Sequence, residues 1–235
     1  VWHDSGRDDD IPARPGNRVL DNGNVDDEQA KRARRELVRR GYDAVSGAYR
    51  GSDGAAEWVA ELSELLRPGA RVLDLGCGAG IPATRELTDR GLQVIGVDFS
   101  AEQLRRARRL VPAARLVQAD MATVQFGPAS LDAVASFYAL IHLPLADQRA
   151  LFPRIRDWLR PAGLFLAIVG AQPWTGTEDF LGADMFWEHA GTASYLSWLE
   201  QAGFTPLWDR FVPEGPSGHS LILARAPGVR TPAVA

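Results

Sequence analysis

The sequence predicts an α/β protein built on a doubly wound, mostly parallel sheet of seven strands. Three observations predict it. From residue 70 onward, short apolar runs alternate with helix-length stretches, the order expected of repeated strand–helix–strand units. The first run, RVLDL (71–75), leads directly into a glycine-rich turn that opens a helix. The last two runs, TPLWDRFV (205–212) and HSLILARA (219–226), are separated only by PEGPSG, so they can pair only antiparallel. A chain of 235 residues suits one such domain with some covering structure; two full domains would be cramped.

The elements follow in order. Residues 1–25 are rich in Asp, Gly, Asn, Pro and Arg, show no apolar period, and read as a flexible N-terminal arm. Residues 26–69 read as cap helices. Asp26 to Arg40 places Asp26, Asp27 and Glu28 first and its bases later, which complements a helix dipole. In GYDAVSGAYR (41–50), Tyr42 and Tyr49 share a face if the segment is helical. AAEWVAELSELLR (55–67) sets Trp58, Leu62 and Leu65 or Leu66 along one stripe, and Pro68-Gly69 ends it.

Strands are then expected at 71–75, 93–98 (QVIGVD), 114–120 (ARLVQAD), 131–137 (LDAVASF) and 164–170 (LFLAIVG), with helices near 81–90, 101–110 and 147–159. Their apolar, branched composition fits strands buried on both faces. Residues 171–190 form a long aromatic connection, a lid in this reading. A helix at 192–202 ends at Gly203, the two final strands follow, and 227–235 is a flexible tail.

Composition excludes several classes. A net charge of −4 argues against a nucleic-acid surface, which needs a concentrated basic face. Lys31 is the sole lysine among 26 basic residues, a bias expected of a high-GC bacterial gene and without chemical meaning. The single cysteine, Cys77, cannot form an internal disulfide and suits a reducing cytoplasm. No apolar run approaches the roughly 18 residues of a membrane span. The opening VWHDSGRDDD carries acids where a signal peptide carries bases. The expectation is a cytoplasmic monomer or homodimer with no nucleic-acid or membrane partner.

The candidate site begins at Asp74-Leu75-Gly76-Cys77-Gly78-Ala79-Gly80. Glycines there let a ligand approach the backbone, and a helix start presents unpaired N–H groups. The pattern is G-x-G-x-G, not the G-x-G-x-x-G of dinucleotide-binding dehydrogenases, which counts against a nicotinamide-dependent oxidoreductase. Asp98 closes the second strand, where a carboxylate can accept both hydroxyls of a ribose, and Asp120 closes the third. Three acids thus line the carboxyl edge of the sheet, where ligands bind in open α/β folds.

The runs VLDLGCGAG, VIGVDFS, QADM and LDAVASFYALIHLP together resemble the class I S-adenosylmethionine-dependent methyltransferases, particularly their small-molecule branch. The resemblance is close over 70–170 and covers 41–226 in outline, making 70–226 the cofactor-binding domain. It implies a Rossmann-like sheet with one antiparallel C-terminal strand, S-adenosylmethionine as cofactor and S-adenosylhomocysteine as product. Carried over by position, it implies that Gly76, Gly78 and Gly80 approach the methionine and ribose portion, and that Asp74 orients the amino group. It places Asp98 on the ribose, Phe99 against the adenine, Asp120 and the Met121 backbone at the adenine edge, and Phe137 near the sulfonium. Tyr49, in the N-terminal cap, is a further cofactor candidate. Cys77 reads as packing.

Methyl transfer needs alignment and desolvation more than protein functional groups, since the cofactor brings its own leaving group. His142 is the candidate base, with Tyr138 on the same face if FYALIH is helical; the alternative is that His142 packs. The lid residues Trp174, Met185 and Trp187, with Tyr42 of the cap, read as aromatic and apolar walls for a flat small-molecule acceptor; the alternative is that they plug a core. No metal set is expected. The competing reading is a catalytically inactive regulatory or scaffold protein that binds the same cofactor.

Overall fold

A computed structural model describes residues 22–48, 55–214 and 217–228, with side chains from residue 27. Tyr49, most of the 1–25 arm and the end of the tail lie outside the described residues.

Helix α1 (Asn22–Val45) is followed by α2 (Ala55–Glu64), β1 (Arg71–Leu75), α3 (Ala83–Asp89), β2 (Gln93–Asp98), α4 (Ala101–Leu110) and β3 (Arg115–Gln118). Next come β4 (Leu131–Ser136), α5 (Leu145–Trp158), β5 (Leu159–Gly170), β6 (Trp174–Phe180), β7 (Ala183–His189), α6 (Thr192–Gln201), β8 (Thr205–Glu214) and β9 (Ser217–Arg225). Seven strands form one sheet in the order β3-β2-β1-β4-β5-β9-β8. β1 to β5 pair parallel, and β9 runs antiparallel to both of its neighbours.

The strands read as unbroken apolar runs because both faces are covered. On one face Leu73, Leu75, Phe165, Ala167 and Val169 meet Phe152 and Trp158 of α5 and Tyr195 of α6. The alternate residues Val72, Leu164, Leu166 and Ile168 meet Val59 and Leu62 of α2 and Leu87 of α3. This is the period of two expected of a strand, with both of its faces buried.

Three local expectations need correction. The segments 26–40 and 41–50 are not separate: α1 runs unbroken through Gly41. The glycine serves packing, since a Cβ there would lie 2.6 Å from the Met185 sulfur. The 171–190 connection is not a loop but a β6–β7 hairpin in its own two-stranded sheet. Its turn, Leu181-Gly182, has φ of 56° and 88°, the doubly left-handed geometry that matches strand twist. FYALIH is not an α-helix: Tyr138 has φ of 55°, and only a short 3-10 turn, Leu140–His142, follows.

Candidate active site

The carboxyl ends of β1, β2 and β4, with residues 119–121 after β3, converge under α1 and the β6–β7 hairpin. Two adjoining clefts lie there. The larger, about 610 Å³, holds Asp98, Phe99, Asp120 and Met121 together with Tyr42 and His142. The smaller, about 380 Å³, holds Asp74, Cys77 and the start of α3. Both are lined by Gly76, Phe137 and Tyr138, which form the joint between them.

The loop after β1 is tied to β2 by its backbone. Gly76 N and Cys77 N both donate to Val97 O, at 2.8 and 2.9 Å. Gly78 N donates to Asp98 Oδ2 at 2.8 Å, and Ser100 N donates to Oδ1 at 2.9 Å. An ionised carboxylate offers about four acceptor positions, so Asp98 keeps capacity for a further donor. Gly76, with φ of 86°, lies so close to Ala139 that a Cβ would come within 2.2 Å of that side chain. Gly78 and Gly80 line neither cleft; the missing side chain of Gly80 lets the loop pack on α4, where a Cβ would meet Val111 at 3.0 Å.

Burial sets the charges. Desolvation raises the carboxyl of Asp98 to about 6 against the N–H bonds that favour its anion. Asp74 is raised likewise to about 6, although Thr84 Oγ1 donates to it at 2.5 Å. Burial, then the charges of Asp98 and Asp74, push the Cys77 thiol well above its ordinary range, which removes it as a nucleophile. Asp120 accepts from Ala122 N at 2.8 Å and pairs with Arg35 of α1 at 3.1 Å. Arg35 also pairs with Asp147 at the start of α5, so one guanidinium fastens α1 across the sheet edge.

His142 is buried but lines the larger cleft. Its Nδ1 lies 2.8 Å from the Phe186 carbonyl, which can only accept, so the ring proton sits on Nδ1. Nε2 is then a lone pair, and Tyr42 Oη donates to it at 2.9 Å. Burial lowers the imidazole to about 4. Tyr138 and His142 both face the cleft but do not stack along a helix. Tyr138 meets His219 edge-on at 5.2 Å, while His142 lies 5.4 Å from Trp187.

The remaining wall candidates divide. Tyr42 lines the cleft; Trp187 is one ring behind it, and Trp174 lies 6.3 Å beyond Trp187. Met185 is not a wall: with 0% exposure it packs with Val38 and Phe186 between α1 and the hairpin. Arg35 and Thr84 were not foreseen. Nothing distinguishes Arg35 within the run KRARRELVRR, and Thr84 shows only as the first-turn threonine of a short helix. Among the described residues no group of three or more His, Cys, Asp or Glu side chains could hold a metal ion. No described helix is long and apolar enough to cross a membrane.

Residues 72–163 match the methyltransferase domain family. A methyltransferase of Synechocystis sp., itself uncharacterized, is 33% identical over 148 residues, covering 60% of this chain and 69% of that protein. The chain belongs to the class I S-adenosylmethionine-dependent methyltransferases. A sterol 24-C-methyltransferase of Gibberella zeae is 31% identical over 126 residues, covering 51% of this chain but only 32% of that longer protein. Among solved structures, 1,6-didemethyltoxoflavin-N1-methyltransferase of Burkholderia thailandensis, bound to 1,6-didemethyltoxoflavin and S-adenosylhomocysteine, shares the fold. Its TM-score is 0.64 at 23% identity, with 92% of this chain and 93% of that one covered. The cofactor of this methyltransferase is S-adenosylmethionine and its product S-adenosylhomocysteine. The two joined clefts fit that cofactor: bare backbone at Gly76 lies between a carboxylate with open lone pairs, Asp98, and a buried one, Asp74.

Proposed function

We propose that the enzyme methylates an oxygen, nitrogen or carbon of a small-molecule acceptor held beneath the hairpin. In this reading His142 is the base, and Tyr138 lies beside the reacting atoms. Asp98 holds the ribose hydroxyls, and Phe99 lies against the adenine, with Met121 beside it. Asp74, Gly76, Gly78 and Phe137 surround the methionine portion. Tyr42 walls the acceptor in the cleft, and Trp187 and Trp174 continue that wall outward behind His142. We place the acceptor in specialised metabolism and the enzyme in the cytoplasm. The aromatic lid and the lack of net positive charge support a small acceptor over a nucleic acid. A small acceptor bound beside S-adenosylhomocysteine in the Burkholderia structure supports the same reading.

The observation that carries the proposal is the fixed tautomer of His142. When bound, S-adenosylmethionine supplies a methyl group on a good leaving group. The chain's own residues then have three tasks. Asp98 and the glycine loop fix one reactant, and the aromatic walls orient the other and exclude water. His142 Nε2, held toward the cleft, accepts the acceptor's proton where Tyr42 Oη now donates. Burial keeps the imidazole neutral throughout the neutral pH range, so the lone pair is always present. The same burial makes imidazolium costly, so the proton moves as the new bond forms rather than before it. Tyr138 holds a left-handed backbone at a cost on the order of 1–3 kcal/mol, strain of the kind that collects at functional sites.

The test is transfer of label from methyl-labelled S-adenosylmethionine into the small-molecule fraction of a cell extract. The wild type is expected to label a product, and His142→Gln to label it at least about tenfold more slowly with unchanged affinity for S-adenosylhomocysteine. Equal rates would return His142 to packing. No label with either protein would leave cofactor binding alone, the regulatory reading.

A further inference from the structure

Between His142 and Tyr138, both of which line the larger cleft, runs a continuous arc of rings. It passes from His142 to Trp187 (5.4 Å), Trp174 (6.3 Å), His189 (6.3 Å), His219 (6.1 Å) and back to Tyr138 (5.2 Å). The four rings between the ends line neither cleft, but they are half-buried, each keeping surface open, unlike the sealed Met185 and Phe186 beside them, so the arc continues the larger cleft outward from His142 and Tyr138. A plug of the core would bury them all.

Two imidazoles in this arc turn Nδ1 toward a neighbouring oxygen, and neither Nε2 makes a hydrogen bond to a described residue. His189 Nδ1 donates to the Gln172 carbonyl at 2.7 Å, which leaves Nε2 a lone pair with no hydrogen bond to any described residue. His219 Nδ1 is buried and lies 3.3 Å from Glu214 Oε2. That carboxylate favours the proton on Nδ1 and so a lone pair on Nε2. Room for the His189 ring is kept by Gly170 at the end of β5, where a Cβ would stand 2.1 Å from His189 Nδ1.

Charge narrows the ligand. Burial lowers both His142 and His219, so those imidazoles are neutral near pH 7. Among the described residues Arg35 is the one arginine lining the cleft, and it is spent on Asp120 and Asp147, so no described lining cation is left for a phosphate. A protonated amine has no lone pair to receive a methyl group.

We propose that His189 and His219 are the specificity-determining residues of the acceptor site. They select an uncharged, planar phenolic or heteroaromatic acceptor, whose ring lies along the arc and whose O–H or N–H donates to their open nitrogens. This rests on the methyl-transfer reading above.

The test is calorimetry on protein saturated with S-adenosylhomocysteine, using 7-hydroxyquinoline as the probe, with choline and phosphocholine as charged comparators. The wild type is expected to bind the probe and neither comparator. His189→Phe and His219→Phe, which keep a ring and lose the nitrogens, are each expected to weaken probe binding about tenfold with product affinity unchanged. On the wild type, the imidazole ¹⁵N shifts of His189 and His219 are expected to move when the probe is added, a readout that needs no variant to fold. Unchanged affinity in both variants, static ¹⁵N shifts, tighter binding of phosphocholine, or no probe binding to the saturated protein would each overturn the proposal. Failure to bind S-adenosylhomocysteine at all would instead strike the function on which it rests.

Discussion

Asp98 accepts from two loop N–H groups while its burial holds the carboxyl near 6. A carboxylate so desolvated gains from each further donor, and two ribose hydroxyls are such donors. Asp98→Ala is expected to weaken S-adenosylhomocysteine binding by more than about tenfold in a titration. The affinity of the wild type should also fall as the pH drops below about 6, because protonation removes acceptor capacity. Stability has the opposite sign. Asp74 and Asp98 are raised from 3.8 to about 6, so over that window the folded protein binds more protons than the unfolded chain. Their contribution is full at low pH and is lost as pH rises through 6. His142, lowered from 6.5 to about 4, works against this and costs stability as pH falls through the same range. Melting curves of cofactor-free Asp98→Asn should therefore lose less stability than the wild type between about pH 4 and 7. A parallel loss would contradict the burial argument. The acids and glycines of this edge were legible because their chemistry is tied to strand ends. Arg35 was not, since an ion pair 112 residues from its Asp147 partner leaves no local mark.

At the scale of elements, α1 and the hairpin form one unit. Val38 and Val45 of α1 bury against Met185 and Phe186 of β7, a core separate from the two faces of the sheet. His142 depends on that unit at both nitrogens, through Tyr42 of α1 and the Phe186 carbonyl of β7. Met185→Ala is expected to cost on the order of 2–5 kcal/mol locally. Hydrogen exchange should then accelerate across both α1 and β7 while β1 and β4 stay protected. Acceleration of β7 alone would mean that the two elements do not share a core. The hairpin escaped the sequence reading because its turn is Leu181-Gly182; a left-handed leucine is rare, and no Asn-Gly or Asp-Gly marked it. The continuity of α1 escaped for a related reason. Gly41 looks like a break until Met185 is seen resting on it.

In the molecule as a whole, the central sheet was legible because strands buried on both faces must read as apolar runs, and a short turn forces β8 and β9 to pair antiparallel. What covers the sheet was less so, because a lid is specified by contacts between distant segments. The account therefore stands on the edge the sequence does specify, the joint at Gly76 between the two clefts with Asp98 beside it. Isothermal calorimetry of the folded protein with S-adenosylhomocysteine, repeated on Asp98→Ala, tests that claim most directly. The account predicts one site per chain in the wild type and a loss of more than about tenfold in the variant. A well-folded wild type that takes up no S-adenosylhomocysteine, or a variant that binds it equally well, would contradict it.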